Sequence, residues 1–293
     1  MPGLHRPGWE LLDVPGRDRL GEGPWWDPAA ARLWWIDILG RRIRSAGLAG
    51  GDPAAIDTGS DIGFAVPDDE GGIIAGLREG LFRRRHGGDW TPLWPADYDS
   101  SGHRINDGKT DRRGRIWFGT MHDGETSPSA HLYRVDADGC RPVLDGVSTS
   151  NGLGWSPDDR TFYYTDSPTH RIWAFDYDLD DGTLANRRLF AQDPAGCFPD
   201  GLTVDAEGCV WGAKWDGSRV VRYRPDGRVD ATVELPVRKP TSVAFCGPDL
   251  SVLAVTSAAM APGDGDLAGS VFLLQTSTHG VPQQPARVPG ARH

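Results

Sequence analysis

Six short runs rich in aromatic and β-branched residues recur along the chain: "RLWWID" from Arg32, "GIIAG" from Gly72, "RIWFGT" from Arg115, "TFYYTD" from Thr161, "CVWGAK" from Cys209 and "SVLAVT" from Ser251. Their starts lie 40, 43, 46, 48 and 42 residues apart. That interval suits one four-stranded propeller blade per unit. Helical solenoids share such periods. Here each run is short and bounded by Gly, Pro or Asp, with no sustained helical periodicity, and this disfavours them.

Each run has a turn and a further short strand ahead of it. Behind it comes an amphipathic strand: "RRIRSA", "GLFRRR", "HLYRVD", "RIWAFDYD", "RVVRYRP" and "GSVFLLQ". A fourth strand follows as "AAIDTG", "WTPLW", "RPVLDG", "RRLFAQ" and "ATVELP", but the last unit has only the polar stretch from Thr276 onward. The leftover strand-like piece, "WELLDVP" at 9–15, is expected to complete it. The expectation is an all-β, six-bladed β-propeller of four-stranded antiparallel blades. It forms one domain over residues 1–293, with an ordered core over about 9–275 and a polar C-terminal tail over 276–293. Closing the ring removes an open sheet edge.

Composition narrows the partners. The 39 Gly and 23 Pro are scattered rather than pooled in a linker, as expected of many short strands joined by tight turns. A formal net charge of -10 argues against general affinity for nucleic acid, and "RRR" at 83–85, the one compact basic run, reads as a solvated strand or turn. No apolar run reaches membrane-spanning or signal-peptide length, so the expected location is the cytoplasm. The four cysteines lack metal-site spacing and are too few to staple a chain of this size, so reduced thiols are expected. Nothing in the sequence chooses between a monomer and a dimer.

Aligning the units on the residue five positions before the turn marker gives one slot per unit: Glu22, Ile62, Asn106, Asn151, Asp200 and Thr241. In a propeller this slot opens each innermost strand, so the six residues should ring one mouth of the channel. Carboxylates gathered there repel one another unless a cation joins them. The oxygen donors of Glu22, Asn151 and Asp200 suit a hard divalent cation. Ca²⁺ heads the candidates, with Mg²⁺, Mn²⁺ and Zn²⁺ behind it.

The chain also resembles the senescence marker protein (regucalcin) and gluconolactonase family from about Gly21 to Leu274. The resemblance runs through "GEGPWWD", "RINDGKTD", "GTM", "SNGLGWSPD", "FYYTDS", "FDYD" and "PDG". It implies a six-bladed propeller, one divalent cation and hydrolysis of sugar-derived lactones. The family's metal ligands match Glu22, Asn151 and Asp200, and its substrate-contacting residues match Arg104, Asn106 and, across a one-residue insertion, Glu125.

Lactone opening needs an electrophile at the ester carbonyl and a base for the attacking water, and a bound divalent cation meets the first need. Asp200 is expected to be both ligand and general base, with Glu22 as the rival base; the neutral amide of Asn151 cannot serve. Arg104 brings a fork of donors for substrate oxygens, and Asn106 both donates and accepts. The loops at 121–130 and 258–269 are candidate lids. Asp166 and Lys214 are read as structural, and "VSTSNG" is not the Gly-x-Ser-x-Gly elbow of a nucleophilic serine. The alternative function is a non-catalytic calcium-binding or interaction propeller.

Overall fold

The computed structural model describes residues 8–288. Six four-stranded antiparallel sheets follow one another along the chain, each joined in sequence order except the last. The expected second strands are present at Arg32–Asp37, Ile73–Leu77, Ile116–His122, Thr161–Asp166, Val210–Trp215 and Val252–Ser257. The fold is a six-bladed β-propeller.

Blade six is completed by the amino terminus. Glu10–Leu11 is its outermost strand, with Glu10 opposite Leu273 and Leu11 opposite Phe272. Leu12 N–H extends the ladder to the Val271 carbonyl at 2.9 Å. Leu12 and Val14 continue inward and are buried with Trp35, Cys246 and Val271 between blades six and one. Residues 277–288 cross the face opposite the slot residues; the rest of the polar tail expected over 276–293 lies outside the described residues. Ala286 pairs with Asp68 and is fully buried with Val288 in the cluster between blades two and three. The tail's small apolar residues had been obscured by their polar neighbours.

Six hydrophobic clusters fill the six interfaces between adjacent blades. The core is therefore distributed around the ring. Side chains from alternate positions of each strand pack against the next sheet, which is why Trp35, Trp117, Phe64 and Phe162 are among the largest fully buried groups. All four cysteines are free, and Cys140 alone among them is not fully buried. Among the described residues no helix is long and apolar enough to cross a membrane.

The innermost strands are Gly21–Asp27, Ile62–Pro67, His103–Thr110, Ser150–Trp155, Phe198–Val204 and Pro240–Cys246. Each carries a register shift at its slot residue or immediately beside it. A bulge re-aims a side chain that would otherwise alternate into the sheet face, and here it recurs at one height of the channel. A glycine follows the slot in four units. At Gly152 a Cβ would lie 2.5 Å from the Asp200 carbonyl oxygen, so the glycine lets the strand bearing Asn151 press against the strand bearing Asp200.

Candidate active site

The mouth of the channel at the slot end holds a cavity of about 420 Å³. Its lining includes all six residues singled out from the sequence: Glu22, Arg104, Asn106, Glu125, Asn151 and Asp200. They come from blades one, three, four and five, so the ring itself assembles them. Of the remaining slot residues, Ile62 is buried in an interblade cluster and Thr241 donates to the Gly21 carbonyl, tying blade six to blade one.

Hydrogen bonds fix the amides. Asn106 Nδ2 donates to the Ser150 carbonyl at 2.8 Å and to Asn151 Oδ1 at 3.1 Å. Asn151 Nδ2 donates to Ser167 Oγ at 2.8 Å, and that hydroxyl donates to the Pro199 carbonyl at 2.6 Å. Asn151 is thereby held with Oδ1 as its available oxygen, and Asn106 keeps its own Oδ1 for a ligand. Arg104 is buried and makes one protein hydrogen bond among the described residues, from Nη1 to the Ile105 carbonyl at 3.1 Å. The rest of its fork remains for another partner.

The carboxylates are held differently. Glu22 accepts from Gly23 N–H at 2.9 Å, whereas Asp200 Oδ1 is buried with no hydrogen-bond partner. Burial, followed by the charge of Asp107, pushes the Glu22 carboxyl up to about 8. Burial, followed by the charges of Glu22 and Asp107, holds Asp200 well above the usual carboxylate range. An orphaned carboxylate oxygen beside a second buried carboxyl and an oriented amide oxygen fits a hard divalent cation. Asp107 was not among the residues singled out from the sequence. It is 3% exposed, Oδ2 lacks a partner, and burial pushes its carboxyl up to about 6.

The cavity has two unlike halves. Blades two and three contribute Asp61, Arg78, Asp123 and the exposed Glu125, while blades five, six and one contribute Phe198, Trp215, Met260, Leu20, Ile38 and Leu39. Arg78 bridges Asp61 at 2.9 Å and Asp123 at 2.8 Å. It also donates to the His103 carbonyl at 3.2 Å, fastening the base of the 121–130 loop to the strand that bears Arg104. This rim lies outside the repeating slot, so the periodicity could not find it. Glu125 reaches it from a backbone φ of 52°. The second loop contributes Met260, held by Asp264, whose Oδ2 accepts from Met260 and Ala261 N–H at 2.8 Å.

Asp166 and Lys214, read from the sequence as structural, both have protein partners. Asp166 accepts from Thr149 N–H at 3.0 Å, and Lys214 is paired with Asp193 at 2.7 Å. A separate group, Asp205, Glu207 and Cys209, brings its ligand atoms within 4.8 Å of one another on the opposite face. The Arg222 guanidinium already occupies it, at 2.7 Å from Asp205 and 2.5 Å from Glu207.

The chain has known relatives. Residues 20–259 match the SMP-30/Gluconolactonase/LRE-like region family. The chain belongs to that family. It is 35% identical to a pentonolactonase of Haloferax volcanii over 90% of this chain and 94% of the relative. It is 36% identical to a 6-deoxy-6-sulfogluconolactonase of Pseudomonas putida, over 89% and 92%. Among solved structures it is similar to a calcium-binding regucalcin from Agrobacterium tumefaciens, with a TM-score of 0.89 and 29% identity over 95% and 97% of the two chains.

Proposed function

We propose that the protein hydrolyses sugar-derived lactones to aldonic acids with one divalent cation held by Glu22, Asn151 and Asp200. The observation that carries this reading is the buried, partnerless Oδ1 of Asp200 in a cavity shared with Glu22 and the oriented oxygen of Asn151. Relatives that act on pentonolactones and on a sulfogluconolactone support the reaction class, and a calcium-binding neighbour supports Ca²⁺. When bound, such a cation polarises the ester carbonyl.

The chain's own residues do the rest. Arg104 and the free Oδ1 of Asn106 hold substrate hydroxyl or carbonyl oxygens and fix the ring over the carboxylates. Asp200 keeps one oxygen for the cation and takes the proton of the attacking water on the other. Water oxygen bonds to the carbonyl carbon, the ring C–O bond breaks, and the proton passes to the departing alkoxide. The charged half of the cavity suits hydroxyl groups, and the Trp215 and Phe198 half suits the C–H face of a sugar ring. Arg78 is already satisfied by Asp61 and Asp123, which favours a neutral gluconolactone or pentonolactone over a sulfonated one.

The test is a pH-indicator assay on metal-stripped and Ca²⁺-restored protein, corrected for spontaneous opening. The panel holds gluconolactone, pentonolactones, a 6-sulfonated gluconolactone and an acyl-chain lactone. Cation-dependent turnover of the neutral sugar lactones is expected. No turnover on any of them after restoration leaves the non-catalytic calcium-binding propeller as the better reading.

A further inference from the structure

The residue after the slot is Gly in four units and Ser242 in the sixth, but in the third it is Asp107. Its Oδ1 accepts from Gly108 N–H at 2.7 Å, and its Oδ2 is buried without a partner. Two residues further on, Lys109 leaves the same strand and its Nζ donates to the Leu202 carbonyl, in blade five, two positions beyond Asp200. Lys109 therefore crosses the channel on the side away from the substrate cavity, where it lines a smaller cavity of about 100 Å³ closed over by residues 281–284. Glu22, Asp107 and Asp200 do not all gather within 4.8 Å of one another, so Asp107 does not complete a compact three-carboxylate cage.

Asp107 and Lys109 bring opposite charges to the channel that also holds Glu22, Asp200 and the buried Arg104. A negative charge beneath the ligands favours a dication there, and a positive charge opposes it. Extending the cation site proposed above, we infer that Asp107 and Lys109 are positioning residues that set its affinity from beneath. Asp107 strengthens the hold on a dication, while Lys109 weakens it and keeps the empty channel folded. Lys109, tethered to the Leu202 carbonyl rather than to a carboxylate, thus acts as a resident positive charge that opposes the exchangeable one.

The consequence is a pattern of opposite signs. Calorimetric titration with Ca²⁺ alone should give about tenfold weaker binding for Asp107→Asn, the scale on which groups behind a ligand act. Lys109→Met should bind about tenfold more tightly, and the double variant should return to within about threefold of wild type because the net charge is restored. Metal-free Lys109→Met should also melt below metal-free wild type, with the gap closing on saturation. If Asp107→Asn does not fold, Asp107→Ser and Asp107→Gly place there the residues other blades carry, with the same expectation. A purely structural pair would lower melting with or without Ca²⁺ and leave affinity alone; that result, or both single variants moving affinity the same way, overturns the inference. Should wild type bind no divalent cation, the cation reading falls and takes this one with it; wild-type binding with the wrong signs sinks this one only.

Discussion

Asp200 and Asp205 stand at opposite ends of the innermost strand of blade five, both buried, and their oxygens are treated in opposite ways. Asp205 Oδ1 accepts from Glu207 N–H at 3.0 Å and Cys209 N–H at 2.9 Å, and Oδ2 accepts from the Trp211 indole at 2.9 Å and from Arg222 at 2.7 Å. Blade three repeats this end. Asp111 accepts from Arg113 and Arg115 N–H, from Trp117 at 2.9 Å, and from the Arg115 side chain at 2.6 Å. At the other end Asp200 Oδ1 has nothing, and Asp107 Oδ2 has nothing. A buried carboxylate with every lone pair met is holding a turn together. One left open beside two others is kept for something that arrives later.

The sharpest way to break the comparison is to remove one charge at each end. Asp200→Asn should lower kcat by about a thousandfold, the scale of a lost general base, with folding stability unchanged or raised as a buried charge disappears. If the variant, fully loaded with cation, keeps wild-type kcat, Asp200 is not the base and Glu22 takes its place. Asp205→Asn should do the reverse and cost about 3 kcal/mol in denaturant unfolding, because Arg222 and the indole lose a buried partner. Its kcat per folded molecule should stay within about twofold of wild type. Equal effects on activity from both variants would erase the distinction between the two ends.

Acidity sharpens the same contrast. In metal-free protein Glu22 is held up to about 8, so the folded state keeps a proton that the unfolded chain gives up near its ordinary value of about 4.3. The folded state then binds more protons, and stability falls as pH rises from about 4.5 through 8. Melting scans should show this slope without Ca²⁺, a flatter profile with saturating Ca²⁺, and a reduced slope in Glu22→Gln, where Asp200 and Asp107 still carry the remainder. Identical slopes with and without the ion would separate Glu22 from the cation.

The smallest effect concerns the group behind Asn151. Ser167→Ala removes the acceptor of its amide nitrogen and should weaken Ca²⁺ by about tenfold while costing about 1 kcal/mol of stability. Ser167→Thr, which keeps the hydroxyl, should recover most of the affinity. If Ser167→Ala titrates like wild type, the orientation of Asn151 is set elsewhere.

Much of this was legible in the sequence because a propeller repeats its register. Once the strand runs were aligned, Glu22, Asn106, Asn151 and Asp200 had to share one mouth, and the leftover strand at the amino terminus had only the last blade to pair with. Asp107 stood in the same alignment as a departure from glycine. It went unread because the meaning of that glycine, close approach of neighbouring innermost strands, becomes visible only in three dimensions. Asp61, Arg78 and Asp123 could not be found by period at all, since they lie at strand ends and in loops whose lengths vary from blade to blade. Ala286 and Val288 were hidden for a simpler reason: two small apolar residues among polar ones carry no pattern.

Blade six is made from both ends of the chain, and this gives the protein a birth order. Glu22 lies in the first blade to leave the ribosome, yet its strand gains its blade-six neighbour only when Thr241 reaches the Gly21 carbonyl and Ala258 pairs with Leu20. An open ring would leave that side of the glutamate to water, where its charge costs little. Docking of the last blade supplies the missing wall, along the seam sealed by Glu10–Leu11. A divalent cation in the refolding buffer, if held by Glu22, would therefore act late, at the seam, as a latch between the first blade and the last.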